Sequence, residues 1–345
     1  MTLPDLPARR KPPSRWWLYG PYIALVVAAV LWSGAWFWIR GQVAARLDAA
    51  RHAAAGGPSL TWERARISGY PFRIEVVLDE VRAAEPSGWG VAAAQIRAES
   101  YAYDLKHWIG YAPQGVTLSR PGAGDVAIAG QALRASVVND GPGQTRVSVE
   151  GLKLTFQPEA GARPFPLVAA DQLDAHTRQA GQAGQVEFLI QLQGARLAPT
   201  SALGRLAAGQ PVSSAWHGTL SKASAMTGRD WPQMARAWTA AGGSIELTNG
   251  WISAGPVNLD TTGGRLAIGA DGRLRGEVSL GLPRASEGLA AFARAGGLDP
   301  TLARAGGQIA QARAATSPAA KADLTFEAGV ATFGPIALGS APRIY

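Results

Sequence analysis

The 345-residue chain contains no cysteine. This absence excludes disulfide bonds, thiolate metal sites and cysteine nucleophiles together. Histidine is scarce as well, with four residues that do not stand at helical or strand-pair spacing from one another: His52, His107, His176 and His217. There is also no His-Glu-x-x-His run, nucleophile elbow, phosphate loop or dinucleotide-binding glycine turn. We therefore predict no catalytic residue, no metal site and no cofactor.

Concentrated positive charge is also missing. The formal net charge is +8, and half of it belongs to the first 40 residues. Beyond them, basic residues stand singly among acidic ones, whereas a protein that follows a phosphate backbone needs a concentrated basic face. Nucleic-acid binding is therefore not expected.

What the sequence does contain is one long apolar run, from Leu18 to Ile39, with no charged residue in it. About 20 residues at 1.5 Å rise match a hydrocarbon core of about 30 Å. Aromatic residues stand at both ends of the run, as expected for rings that favour the headgroup layers: Trp16, Trp17, Tyr19, Tyr22, Trp36, Phe37 and Trp38. We predict a transmembrane anchor over residues 16–40, with the lipid bilayer as its partner.

Orientation follows from the basic residues. Arg9, Arg10, Lys11 and Arg15 precede the span, so the positive-inside rule places residues 1–15 in the cytoplasm and the bulk in the periplasm. The alternative is a cleaved signal peptide, for which Val43–Ala45 would offer a small-residue site. The apolar run exceeds the usual 7–15 residues of a signal peptide and ends in bulky aromatic residues, which favours a retained anchor in the inner membrane.

After the anchor the periodicity changes. Residues 41–57 read as a helical stalk, which we expect to lift the first strand off the bilayer. Residues 58–345 read as a periplasmic β-rich domain, either as one unit or as two (58–225 and 226–345). Apolar residues alternate with polar ones from Phe72 to Leu78 and from Val186 to Leu192, which predicts half-buried strands.

Glycines punctuate the strands. In Arg146–Leu154 the apolar phase flips at Gly151, which predicts a bulge there. From 244 to 282 we predict an antiparallel meander whose first two strands, 244–248 and 251–254, are joined by a type I′ turn at Asn249-Gly250. Gly255-Pro256, Gly263-Gly264 and Asp271-Gly272 mark its further turns.

A few short helices interrupt the sheet. Asp230 is expected to cap one helix, Ser286 a second over residues 287–294, and Asp299-Pro300 begins a third. The segment 167–178 fits a helix or a strand, and its alternation favours a strand.

One β unit recurs. Residues 245–259 align without gaps to 324–338, and both copies read strand, turn glycine, strand, Gly-Pro, strand. Such reuse favours a sheet extended by repetition over a compact enzyme fold. The predicted class is mainly β (a β-rich α+β fold), with one N-terminal transmembrane helix followed by an extended antiparallel sheet of repeated hairpin units and a few short helices.

These residues support a comparison. Gly69-Tyr70-Pro71-Phe72, the segments 264–268 and 272–276, and the leading anchor together resemble an uncharacterised bacterial family, domain-of-unknown-function family 2125, over residues 15–340. The resemblance implies an architecture and no mechanism. More loosely, the strand–turn–strand–Gly units resemble the β repeats of AsmA-like envelope proteins, which are anchored in the inner membrane and linked to lipid traffic.

Two residues are candidate contacts. Tyr70 precedes Pro71, which fixes φ at the first residue of a predicted strand; Tyr70 is either part of that structural element, which we favour, or an aromatic contact. Trp108 lies in a basic, aromatic stretch (106–111) that reads as loop-like. It either packs in the core, as Trp216 and Trp238 are expected to, or contacts a lipid headgroup or a partner.

The sequence thus predicts a non-catalytic, membrane-anchored periplasmic β-protein that handles lipid or serves envelope assembly. The alternative is an accessory subunit that binds another envelope protein. If the protein shields acyl chains, one face of the sheet should line a continuous apolar groove that no side chain fills.

Overall fold

The computed structural model describes residues 16–51, 57–141, 144–181, 184–282, 285–294, 300–314, 320–334 and 336–345. The predicted cytoplasmic tail lies outside these residues, as does the end of the stalk. Helix α1 runs without a break from Trp16 to Arg51, so the predicted anchor and the described part of the stalk form one helix. Its stretch from Leu18 to Arg51 is long and apolar enough to cross a membrane.

Within the described residues, eighteen strands follow α1 in one sheet. They are β1 (Ser59–Thr61), β2 (Arg64–Ser68), β3 (Arg73–Ala84), β4 (Gly90–Tyr101), β5 (Asp104–Tyr111), β6 (Val116–Ser119), β7 (Val126–Ala129), β8 (Ala132–Asn139), β9 (Thr145–Pro158), β10 (Leu167–Gln179), β11 (Val186–Leu197), β12 (Val212–Leu220), β13 (Ile245–Ala254), β14 (Val257–Ile268), β15 (Leu274–Leu282), β16 (Ala320–Glu327), β17 (Val330–Phe333) and β18 (Ile336–Ser340). The described residues also form four α-helices after α1, namely α2 (Ala202–Ala207), α3 (Trp231–Ala240), α4 (Ala285–Arg294) and α5 (Pro300–Ala314), and a 3-10 turn at Ala223–Ala225.

The strands form an antiparallel ladder. From β9 to β18 each strand pairs with the next one along the chain. Nearer the N-terminus, β5 and β6 share one edge of β4, and β8 and β7 share one edge of β9. Since β12 pairs with β13, residues on both sides of position 225 belong to the same sheet. The predicted extended antiparallel sheet with a few short helices is confirmed.

The C-terminal half of α1 lies alongside the first strands. Trp32 Nε1 donates a hydrogen bond to the Pro71 carbonyl, and Trp36 Nε1 donates to the Arg73 carbonyl, both at 2.9 Å. Further along the helix, an Arg51 guanidinium nitrogen donates to the Trp62 carbonyl at 3.0 Å. The sheet therefore folds back along the helix, because these indoles and their apolar neighbours pack against it.

An apolar cluster holds this arrangement. Trp36 and Val43 of α1 are buried together with Ile74, Val76 and Ala102 of the sheet. Burying a large apolar side chain stabilises a fold by about 1.5–3 kcal/mol. The helix is therefore part of the core of this region as well as an apolar span.

The first predicted strand begins later than expected. Residues 70–72 form a turn, β3 begins at Arg73, and Phe72 is exposed rather than facing inward. The interior alternation is correct from Ile74 onwards, which is fully buried. The bulge predicted at Gly151 is wrong, because β9 pairs with β8 and β10 in continuous register through this residue. The positive φ in β9 belongs to Lys153.

The meander has three long strands instead of shorter ones. β13 runs straight through Asn249-Gly250 and β14 runs straight through Gly263-Gly264, so the predicted type I′ turn is wrong. Gly250 is paired with Trp216 of β12, and the register shifts between His217 and Gly218, where Thr248 is the extra residue of β13. The second copy of the repeat does turn, at Ala328-Gly329, where both residues have positive φ.

The helices begin at or next to the residues where the sequence predicts their N-termini. The Asp230 carboxylate accepts from the Gln233 N–H at 2.9 Å, which confirms the predicted cap of α3. α4 begins at Ala285, one residue before the predicted cap Ser286. The segment 167–178 is the strand β10, and α5 begins at Pro300 as predicted.

Candidate functional site

One face of the sheet is apolar across its C-terminal half, and the register shows why. Directly opposed residues of an antiparallel sheet lie on the same face. The pairs align one row of four apolar side chains and two glycines: Phe188, Gly218, Leu247, Gly264, Val278 and Leu324. The Phe188 ring covers Gly218, and the apolar side chains of this face line open space above the sheet.

That space is a cavity of about 710 Å³. Its sixteen lining residues come from the seven adjacent strands β10 to β16, and fifteen of them are apolar, Thr177 being the exception. We call this cavity the trough. The residues that line the trough are Thr177, Val186, Phe188, Ile190, Trp216, Leu220, Ile245, Leu247, Ile252, Leu259, Leu266, Leu274, Val278, Leu280, Leu324 and Phe326.

Short helices close the trough at one end of these strands. Ala207 of α2 packs in a buried cluster with Val212 and Ala254, and Ile252 of the trough lining packs against the same cluster. Leu206 of α2 adds a smaller cluster with residues of β14 and α4. At this end the residues that line the trough are therefore continuous with the buried core.

The apolar face continues from the trough toward α1. Thr177 is paired with Val147, Val147 with Val137, and Val137 with Trp108. Val137 is 41% exposed, and Val149 on the same face is 38% exposed, so this stretch is not covered by other side chains. An open apolar surface therefore links the trough to the cluster that α1 forms with the first strands.

Trp108, a predicted contact residue, lies in strand β5 and not in a loop. Its indole Nε1 donates to the Leu105 carbonyl at 3.0 Å, and its ring packs against the cluster beneath α1. Trp108 therefore stands where the open apolar surface meets the helix.

Tyr70, the other predicted contact residue, also lies against α1. Its hydroxyl is 2.8 Å from Ser33 Oγ, its ring meets Trp36 edge-on at 5.4 Å, and it stacks on Phe37 at 6.1 Å. The structure thus places both candidates beside the helix, at different points of its surface.

A second cavity, of about 460 Å³, has a polar lining that includes His176, His217, Arg146 and Arg178. The two histidines are paired with the same residue, Leu189, from opposite sides. Two strand spacings put their Cα atoms about 10 Å apart. Within the part of the chain that the structure describes, no group of three or more acidic or histidine residues could hold a metal.

Two carboxyl groups on this sheet have lowered pKa values. The hydrogen bond from the Gln95 amide at 2.9 Å is the largest cause that lowers the pKa of Asp79, with Arg66 adding to it. The Lys153 ammonium, 2.7 Å from the carboxylate, lowers the pKa of Asp171. Lys153 and Asp171 form an exposed surface ion pair, and such pairs contribute little to stability.

Sequence reasoning predicted the alternation of these strands but not the trough. The sequence of each strand indicates one solvent-exposed face. Which glycine lies opposite which large residue of the neighbouring strand depends on the register of the sheet. The informative signal was the recurrence of in-strand glycines at Gly218, Gly250, Gly264 and Gly276.

Comparison with known proteins gives one match. A model of the family described as uncharacterised proteins conserved in bacteria, DUF2125, matches residues 36–342. The matched region begins at the buried Trp36 and includes Tyr70, Trp108 and the whole trough. Comparisons with curated proteins and with solved structures give no match.

Proposed function

The chain belongs to the DUF2125 family, as its resemblance predicted, and we propose that it is a non-catalytic, membrane-anchored protein of the bacterial envelope that binds a lipid acyl chain in the trough. The observation that carries this proposal is the lining of the 710 Å³ cavity, in which Thr177 is the one polar residue. This volume falls within the roughly 300–1,000 Å³ of small-molecule sites.

The chemistry of the lining favours an acyl chain over a peptide. A peptide segment in the trough would bury backbone N–H and C=O groups against side chains that offer them almost no hydrogen-bond partner, at a cost of several kcal/mol. A hydrocarbon chain needs no such partner and gains about 0.8 kcal/mol per buried CH₂. The headgroup of the lipid would stay outside the trough.

The position of the trough relative to α1 supports the same reading. We propose that α1 anchors the protein in the cytoplasmic membrane, with the basic tail inside and the sheet in the periplasm. The open surface through Val137 and Trp108 would then offer an acyl chain apolar contacts between bilayer and trough.

Photo-crosslinking in the full chain tests this proposal. The photoreactive residue p-benzoyl-phenylalanine is placed at Ile190, whose side chain lines the trough, in cells fed radiolabelled acetate to label acyl chains. The matched control is its neighbour Leu189, of similar size, which lines the polar cavity of the opposite face. Radiolabelled lipid should couple to position 190 and not to position 189.

Two results would contradict the proposal. Equal labelling at both positions would show contact with lipid without selection by the trough. Coupling of position 190 to a protein in place of lipid would favour the accessory-subunit alternative.

A further inference from the structure

Four exposed aromatic side chains occupy two turns at one end of the first strands. They are Tyr70, Phe72, Tyr101 and Tyr103. Phe72 is 63% exposed and Tyr103 is 67% exposed, far more than large aromatic residues of a folded domain usually are. We call these four residues the aromatic rim. A contiguous exposed apolar patch marks an interaction site.

The two turns of the rim are joined to each other. The Ala102 N–H donates to the Phe72 carbonyl at 2.9 Å, and the rings of Tyr101 and Tyr103 stack at 5.1 Å. The rim is therefore one fixed surface and not two independent loop tips.

Contacts with α1 fix the level of this surface along the helix. Tyr70 is hydrogen-bonded to Ser33, and Trp32 donates to the Pro71 carbonyl. Trp32 and Ser33 lie about 6–9 Å along the helix before Phe37 and Trp38, which are exposed at the aromatic end of the apolar run. The rim therefore lies within about 10 Å of the end of the span, where a bilayer has its headgroup layer.

Charge near the rim is balanced. Arg73 pairs with Glu99 at 3.4 Å, and Lys106 lies two residues from Asp104, whose carboxylate accepts from the Lys106 N–H. A balanced surface is not drawn to anionic lipid by net charge. The rings themselves supply the affinity, because tyrosine and phenylalanine favour the interface between hydrocarbon and water.

We infer that the aromatic rim inserts into the headgroup layer beside α1, so that the sheet contacts the bilayer at a second place and is held at a fixed orientation to it. This contact is separate from acyl binding in the trough. It rests on the anchoring role of α1, which the proposed function also uses.

The absence of cysteine makes a direct depth measurement possible. Single variants Phe72→Cys and Tyr103→Cys of the full chain carry an environment-sensitive fluorophore and are reconstituted in phosphatidylcholine vesicles that contain nitroxide lipids. Pro86→Cys, in the turn at the opposite end of β3, is the matched control, and Leu25→Cys reports on the helix.

Headgroup nitroxides should quench the labels at 72 and 103 at least several-fold more strongly than the label at 86, and anionic lipid should not change the ratio. Equal quenching at 72, 103 and 86 would overturn the inference. Labels at 72 and 103 that are protected from aqueous iodide but not quenched by nitroxide lipids would also overturn it, because they would be covered by protein. If deep nitroxides fail to quench position 25, the anchor itself is wrong; if they quench it while 72 stays unquenched, the rim inference alone fails.

Discussion

The indole of Trp216 lies across Gly250 of the neighbouring strand and occupies the space that a β-carbon at position 250 would need. Asn249-Gly250 is the pair best suited to a type I′ turn, yet β13 passes straight through it. The glycine serves close packing here, which is the other common reason for glycine inside a strand.

Gly250→Ala should therefore lower stability. Its β-carbon would meet the Trp216 ring, and overpacking of this kind costs about 1–3 kcal/mol. The control is Gly263→Ala in β14, where the new β-carbon would meet only the Leu247 carbonyl oxygen at 3.7 Å. Chemical denaturation of the two variants measures the difference, and equal stabilities would contradict the packing role of Gly250.

The second copy of the repeat offers the complementary test. At Ala328 the backbone has φ of 49°, a left-handed conformation that costs a residue with a β-carbon about 1–2 kcal/mol. Ala328→Gly should therefore stabilise the protein by up to about 1 kcal/mol, after the entropy that glycine loses. The same change at the exposed strand residue Ala337 should destabilise it, and a stabilisation there would contradict this account.

Some features of the fold depend on residues close in sequence, and others depend on contacts between distant residues. The alternation of β3 and β11 and the cap of α3 are readable because they depend on residues close in sequence. The two copies of the repeat share the same local pattern, and one turns while the other does not, because Trp216 of a different strand packs on Gly250. The fold class was therefore predictable, whereas the exact meander and the trough depend on register.

The position of α1 could not be read from the sequence for the same reason. Trp36 was predicted as an interfacial residue of the anchor, yet it is 3% exposed and hydrogen-bonded to the sheet. Tyr70 and Trp108, the predicted contact residues, both lie against α1. Their common neighbour, the helix, becomes apparent only in the folded structure.

Trp36→Ala should destabilise the contact between helix and sheet. Removal of a buried indole costs about 3–5 kcal/mol, and the Arg73 carbonyl also loses its donor. Trp38→Ala, two residues further and 67% exposed, is the control. Limited proteolysis of membrane-reconstituted protein should cut the first variant faster within β2 and β3. Equal protection of both variants would show that the docked helix is not needed for the fold.

The lowered pKa of Asp79 gives a pH prediction. Its folded-state pKa lies below the unfolded value, so the stabilisation is present above the unfolded value, about 3.9, and is lost as pH falls through the folded value. Gln95→Leu removes the largest lowering cause and should raise the pKa of Asp79 toward the ordinary value, as a carboxyl NMR titration would measure. Gln193→Leu, on the exposed surface of β11, should leave this pKa unchanged, and no difference between the variants would rule out the amide as the cause.

The trough itself is best tested by filling it. Leu247 and Leu266 line the cavity from adjacent strands, and a larger ring at either position has 710 Å³ of open space to enter without displacing backbone. Leu247→Trp and Leu266→Trp should therefore keep the melting temperature within a few degrees while lowering lipid coupling at position 190 several-fold. The same change at Leu189, on the polar cavity, should leave the coupling intact. Filled variants that fold and still couple lipid at position 190 as strongly as the parent would show that the acyl chain does not occupy the trough.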